Sequence, residues 1–506
     1  MAWNKDLATK RIQKSIDSFP QVDAAQFEDY LRSMPQAQKS EAKLLSPLDR
    51  LGHNKAIVVD GVHVYVNLVN YDERILKDGR ETEAAHADML EFLHLHYRAC
   101  DKVIENRKAQ RVDFHGPRMH AVVLEPHGKE NMKERVIEAM ELAQEMQLLS
   151  DLASKEIGSG RVARFRIGID VGPSVAIDSG TSDEPEPLFL GGSANYAAKL
   201  AEGTEAGIFI SNNARRVLGL SDVDEKRSII TKDFVNSLID KSVSKSALIK
   251  ESSQLMAEWK EDIKKAAASI GFKFKYYCPP LKNLKFQDLY PSSSVRMSLV
   301  SIYADIDGYT RYIDDAIKTG QIAEAVKTLH VIREEFQRVL MDDYQGRKVR
   351  FIGDCMHGLI AEGTESGINE VATVRAAAEC VAALRSSFKL CQQLVPHASS
   401  LGLAIGFELG ETPISRVGIR GERSIRLATS VATITSEKLQ SKCDGNETAI
   451  GEAAYAVATP SLKYAFESDK IARDFDYNTA AVVLAIKSQN HSSIVATSTQ
   501  LRAHAS

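Results

Sequence analysis

The sequence predicts an α+β protein made of two similar halves on one chain, and three observations carry that reading. A chain of 506 residues is too long for one compact core, so two domains plus connecting material are expected. One motif set occurs twice: VYVNLVNYDERI around Asn67 and DFHGPRMHA around Pro117 return as SIYADIDGYTRYI around Asp305 and RFIGDCMHG around Asp354. The copies also keep register, since 305 − 67 = 238, 354 − 117 = 237, and 406 − 168 and 410 − 172 each give 238 with Gly falling on Gly. Chance resemblance between short strings would not hold that spacing.

Taken along the chain, residues 1–50 read as a helical arm, with Ile12, Ile16, Phe19 and then Phe27, Tyr30, Leu31 at near-helical spacing. The first copy is expected over 51–220. Its order is a strand from Ile57 to Leu68, a helix carrying Leu90, Phe92, Leu93 and Tyr97, a strand into His115 and a hairpin return through Val122. A long helix near Glu134 to Leu152, the strand ARFRIGIDVG and a helix bearing Asn195 complete it. Residues 221–290 read as a mostly helical linker ending in FKFKYY, where aromatic and Lys residues alternate as on a half-buried strand. The second copy is expected over 291–487 in the same order, and 488–506, rich in Ser and Thr, as a flexible tail. Beyond the glycine landmarks the offset falls to 426 − 195 = 231, which sets Arg426 and Ser430 opposite Asn195 and Lys199.

Composition excludes several classes. A net charge of −4 argues against holding nucleic acid by bulk electrostatics, and the short FKFKYY run does not change that. Six cysteines lie scattered without CxxC pairs and read as reduced thiols. No segment has the length and apolar character of a signal peptide or a membrane span, so a soluble cytoplasmic protein is expected. His94 and His96 form an HxH, but on a helix they point to different sides and read as packing residues. No P-loop, GxGxxG or nucleophile elbow occurs.

The chemistry is divided between the copies. Two aspartates, Asp305 at a strand end and Asp354 in a tight hairpin turn, survive only in the second. At ~4 Å and an effective dielectric of ~20, two carboxylates repel by about 4 kcal/mol, so the pair calls for a cation. Hard oxygen ligands suit Mg²⁺ or Mn²⁺, and such a pair can hold two ions about a reacting phosphate, with the Ile306 carbonyl as a further ligand. Gly308, with Tyr309 and Thr310 opening a helix, leaves backbone amides free to meet phosphate oxygens. In the first copy Asn195 and Lys199 stand four apart on one helix face after a Gly-Gly turn. Facing a metal-bound triphosphate, the cation neutralises charge on the reacting phosphate while the amide positions the sugar.

The motifs ADIDGYT, RFIGD and LGGSANYAAKL resemble those of the class III nucleotidyl cyclases, across roughly 56–218 and 296–462. The resemblance implies a ferredoxin-like fold in each half and an intramolecular pseudodimer with one composite active site and one dead site. It assigns the metal roles to Asp305 and Asp354 and the transition-state roles to Asn195 and Lys199, the lysine standing where the family usually has arginine; that keeps the charge but loses the bidentate fork. The implied reaction is attack of a nucleoside triphosphate's 3′-hydroxyl on its α-phosphorus, giving a 3′,5′-cyclic nucleotide and pyrophosphate. The family's base contact, four residues before the second metal position, falls on Asp113. Its other base contact falls on Leu188, which has no polar atom. A carboxylate accepts hydrogen bonds and favours an exocyclic amine, while Asp113 reads equally as a turn or pairing residue. The details look most like bacterial pyrimidine cyclases of antiphage signalling, whose product acts on a separate effector. CTP giving cyclic CMP is therefore favoured over UTP giving cyclic UMP, with an adenylate or guanylate cyclase and a non-catalytic nucleotide-binding regulator as rivals. Arg350 is expected in the dead site, paired with acidic neighbours.

Overall fold

The computed structural model describes residues 3–34, 48, 51–157, 162–178, 187–238, 257–258, 260–261, 265, 271–419, 424–466 and 468–484; most of the expected linker helix and the whole expected tail lie outside them. Each half is one sheet with helices packed on it. In the first half β2 (Lys55–Leu68) and β5 (Phe165–Asp178) form the long central pair. The hairpin β3 (Gln110–His115) and β4 (Arg118–Val123) lies beside β2, and β6 (Pro187–Leu190) and β7 (Gly207–Ile210) lie beside β5. The second half repeats this. Its central pair is β9 (Ser294–Asp307) with β14 (Gly402–Val417), its hairpin is β10 (Arg347–Ile352) with β11 (Cys355–Ile360), and β15 (Ile425–Ala428), β16 (Glu447–Ile450) and β17 (Ile471–Arg473) lie on the far side. Strands β12 (Gly363–Thr364) and β13 (Gly367–Ile368) make a small separate hairpin.

The helices that matter for the site are α1 (Lys5–Ser18), α2 (Glu83–Asn106), α3 (Met132–Ile157) and α4 (Gly192–Leu200) in the first half, and α5 (Tyr309–Thr319), α6 (Ile322–Arg338), α7 (Glu370–Leu394) and α8 (Val431–Gln440) in the second. The expected strand, helix and hairpin order of both copies is thus present. The arm differs from a purely helical reading. After α1, the stretch Asp23–Gln26 forms β1, parallel to the start of β2. The FKFKYY segment supplies the matching piece, β8 (Phe274–Lys275), parallel to the start of β9. Each half therefore opens with a short edge strand beside its first long strand. His94 and His96 are buried helix residues, His94 accepting from the Gly418 amide at 3.2 Å.

The cores are not separated at the boundary between halves. Val58, Val175, Ile177, Leu188 and Leu190 of the first half join the apolar cluster of the second, and Val417, Ile425 and Leu427 join that of the first. The arm adds to this: α1 packs on α6 and α7 of the second half while β1 pairs with the first.

The packing corrects the sequence alignment beyond the glycines. Gly168 lets α4 press on β5, because a Cβ there would collide with Ala197 O, Ala201 N and Leu200; Gly406 does the same for α8 with Ser436 O, Gln440 N and Leu439. The offsets are 436 − 197 = 239, 440 − 201 = 239 and 439 − 200 = 239. Asn195 therefore corresponds to Ile434 and Lys199 to Lys438, not to Arg426 and Ser430. Arg426 sits instead on β15 opposite Arg416, where the first half places Leu188 on β6 opposite Ile177. The segments before these helices are equal in length to within a residue, so the offset of 231 does not hold; each helix is fixed by a glycine that permits its close approach.

Candidate active site

Strand β9 delivers Asp305 one residue beyond its last pairing with the hairpin, Met356 opposite Ala304, and the turn at Gly353 (φ 60°) sets Asp354 beside it. Burial pushes Asp305 up to about 6, with Asp307 adding repulsion and a hydrogen bond to Gln440 opposing it. Asp354 is held well above the usual carboxylate range by burial and then by Asp305, with Arg333 pulling it back. That guanidinium lies over Phe351, 4.3 Å from the ring centre, and donates to the Gly353 carbonyl, which braces the turn. Two neighbouring carboxylates with raised affinity for a proton have the same appetite for a cation.

After β9 the chain turns through Gly308 in a left-handed conformation (φ 83°) into α5. The Tyr309 side chain is buried and donates to the Ala325 carbonyl at 3.0 Å, so this residue offers the cavity its backbone only. The Ile306 side chain is likewise buried.

Across the boundary, Gly191 (φ 139°) ends β6 and α4 begins. The Gly192 amide donates to Asp314 Oδ1 on α5 at 2.8 Å, and Asn195 Nδ2 donates to Thr310 Oγ1 at 2.9 Å. A side chain at Gly192 would meet the Asp314 carboxylate, so the Gly-Gly turn is what allows the two helices to meet. Asn195, Lys199, Asp113, Asp305, Ile306, Gly308, Tyr309, Thr310 and Asp354 all line one cavity of about 1050 Å³ formed by both halves. Every residue expected in the composite site lines it.

Asp113 lines that cavity but is not free. It forms an ion pair with Arg350 and accepts from His115 Nδ1 at 2.7 Å. Burial raises the Asp113 carboxyl, and Arg350 and His115 outweigh it, holding the group well below the ordinary carboxylate range. Arg350 thus pairs with an acidic neighbour, as expected. Sequence reasoning missed Tyr65, His115 and His120, which line the same end, and Asp314. Two of these had a signal: His115 alternates with Asp113 on β3, and Asp314 stands one helical turn after Thr310.

The related position between the halves is filled. Arg118 pairs with Glu437, Tyr71 contacts Thr429, Arg350 donates to the Phe114 carbonyl, and only about 20 Å³ remains. Asn67, in the place of Asp305, donates to the Ala201 carbonyl at 3.2 Å. Among the described residues no helix is long and apolar enough to cross a membrane.

No family model matches the chain. A protein named uridylate cyclase from a Rhizobium species is 40% identical over 92% of this chain and 92% of its own length. A second uridylate cyclase, from Pseudomonas aeruginosa, is 37% identical over 96% of this chain and 91% of its own. The crystal structure of a class III adenylyl cyclase-like ATP-binding protein from Pseudomonas aeruginosa superposes with a TM-score of 0.86 at 36% identity, covering 95% of this chain and 99% of that one. With its duplicated halves and the relatives it matches over most of their length, the chain belongs to the class III nucleotidyl cyclases, in their tandem-domain form and most like the pyrimidine cyclases.

Proposed function

We propose that the chain is a uridylate cyclase, closing UTP to 3′,5′-cyclic UMP with release of pyrophosphate. The observation that carries a cyclisation reading is the meeting of Asn195 and Lys199 with Asp305 and Asp354 in one cavity across the boundary of the halves. The choice of uracil over cytosine rests on the names of the two relatives and on Asp113. The preference for CTP assumed a free carboxylate ready to accept from an exocyclic amine. Oδ1 is held in an ion pair with Arg350 and Oδ2 accepts from His115, which weakens that ground.

The residues fit divalent ions. Asp305 and Asp354 repel each other in a low-dielectric wall and are two hard oxygen donors. Such a pair suits Mg²⁺ or Mn²⁺, which would take the rest of their ligands from a carbonyl such as that of Ile306, from water and from the triphosphate. Two such ions when bound would acidify the 3′-hydroxyl and stabilise the leaving pyrophosphate. Asn195, already aimed across the boundary at Thr310, orients the ribose. Lys199, exposed at the cavity wall, neutralises charge gathering on the α-phosphate. The amides after Gly308 receive phosphate oxygens.

In this reading the product is a second messenger of bacterial antiphage defence acting on a separate effector, as the resemblance implies. The test is incubation of the purified chain with each of the four ribonucleoside triphosphates and Mn²⁺, with products identified by mass spectrometry. Cyclic UMP as the main product is expected. Cyclic CMP or a purine cyclic nucleotide as the main product would refute the uridylate reading, and no product from any triphosphate would refute the cyclase reading as a whole.

A further inference from the structure

The base end of the cavity holds a three-residue relay that spans the two halves. Asp113 and His115 lie on β3, opposite His120 and Arg118 of β4. Arg350 reaches in from β10 and meets Asp113 Oδ1, while His115 Nδ1 stands 2.7 Å from Oδ2. An ionised carboxylate can only accept, so Nδ1 carries the hydrogen, and in the neutral ring Nε2 presents a bare lone pair. His115 lines the cavity, and its Nε2 is buried with no hydrogen-bond partner. A buried polar atom left so calls for a missing partner. The surrounding polar groups do not supply it: His120 turns Nε2 to His63 at 3.1 Å, and burial holds its ring down to about 4.

We infer that His115 is the base-reading residue, its Nε2 accepting the N3–H of uracil, with Asp113 and Arg350 as positioning residues that fix its tautomer. The inference rests on the uridylate reading and explains it. Uracil carries a hydrogen on N3, which the lone pair accepts. Cytosine carries a lone pair there, so the two acceptors oppose each other and CTP is rejected. The base position of the second half, Arg350, has thereby become a brace for the base position of the first.

The relay makes a reversible prediction. Asp113→Asn keeps the shape; Arg350 goes on donating to the amide oxygen, which turns the amide nitrogen towards His115. Nδ1 must then accept, the hydrogen moves to Nε2, and the ring becomes a donor suited to N3 of cytosine. The measurement is kcat/KM for UTP and for CTP, with circular dichroism to check folding. The wild-type chain should favour UTP by at least about tenfold, and Asp113→Asn should lower that ratio by tenfold or more through a gain with CTP as well as a loss with UTP. Should Asp113→Asn not fold, His115→Gln serves, since its amide can either donate or accept; the ratio should again fall by about tenfold, by loss with UTP. A purely structural role would depress both substrates alike and leave the ratio unmoved. That result with a UTP-preferring wild type would overturn the relay alone and leave Nε2 to a water in the 20 Å³ space that His115 also lines. A wild-type chain preferring CTP would overturn the relay and the uridylate reading together.

Discussion

Removing Arg11 should release the N-terminal arm, and the size of the effect follows from what it leaves behind. Its guanidinium binds Glu335 through Nε at 3.1 Å and Nη2 at 2.8 Å, and Asp343 at 2.9 and 2.8 Å. The side chains are 10%, 1% and 6% exposed. Arg11→Met keeps much of the apolar stem but leaves two buried carboxylates facing each other, with Glu335 retaining only the Ser387 hydroxyl at 2.8 Å. Breaking one side of a buried pair costs about 3–5 kcal/mol. Hydrogen exchange over Lys5–Ser18 reports it directly, because local opening sets the rate there. At about 1.4 kcal/mol per tenfold, exchange should accelerate by roughly 100-fold or more. The sign with pH is fixed as well. Burial already raises the Glu335 carboxyl and Arg11 opposes it, so the variant's folded-state value rises further above the unfolded one. Such a carboxyl binds its proton more tightly when folded, and the stability this gives is lost as pH rises through the folded value. The defect should therefore be larger at pH 8 than at pH 5, after correction for intrinsic exchange, and Glu335→Gln added to Arg11→Met should relieve much of it. Acceleration below about fivefold, or no dependence on pH, would refute the claim that this buried network pins the arm.

Asp305→Ala and Asp354→Ala should each abolish cyclic nucleotide formation, by on the order of 10³-fold or more, in a folded protein; Mn²⁺ should raise the melting temperature of the wild type and not of either variant, and full turnover by either would remove the metal assignment. Titration calorimetry with a non-cyclising UTP analogue should give one site per chain. Pro117→Asp, alone or with Asn67→Asp, should not add a second, because Arg118, Glu437, Tyr71 and Thr429 occupy the space; two sites would show that the filled side opens.

Much of this arrangement is written locally in the sequence. The two long strands, the hairpin and the helix after each glycine follow from short-range alternation and turn chemistry, which is why Asp305, Asp354, Gly308, Asn195 and Lys199 could be singled out. What stayed hidden depends on partners far along the chain. Arg350 meets Asp113 from 237 residues away (350 − 113) and Asp314 caps Gly192 from 122 away, and no pattern in either segment announces the other. Asp113 was readable as a carboxylate in the base position or as a pairing residue, but its partners Arg350 and His115 were not. Strand β1 was missed because Asp-Ala-Ala-Gln has no β-branched or aromatic residue; it is a strand because it pairs with β2.

The loss of complementary residues from the two halves has a physical logic. In the proposed reading the live site keeps carboxylates that repel each other, Asp305 and Asp354, with Arg333 only partly offsetting the second, since an ion and a triphosphate must enter, and it keeps about 1050 Å³ open. Both conditions weaken the boundary between the halves. On the other side of the boundary the same fold places a proline where the second aspartate would be and lets Arg118 find Glu437, converting a repulsive, open position into a charged clasp with little free volume. Ile434 in place of the asparagine adds apolar contact to the first-half core. The asymmetric pair thus concentrates its electrostatic strain in one site and uses the other to hold that site's two walls in register, and Arg350, reaching from the filled side to Asp113, is where the support meets the site it supports.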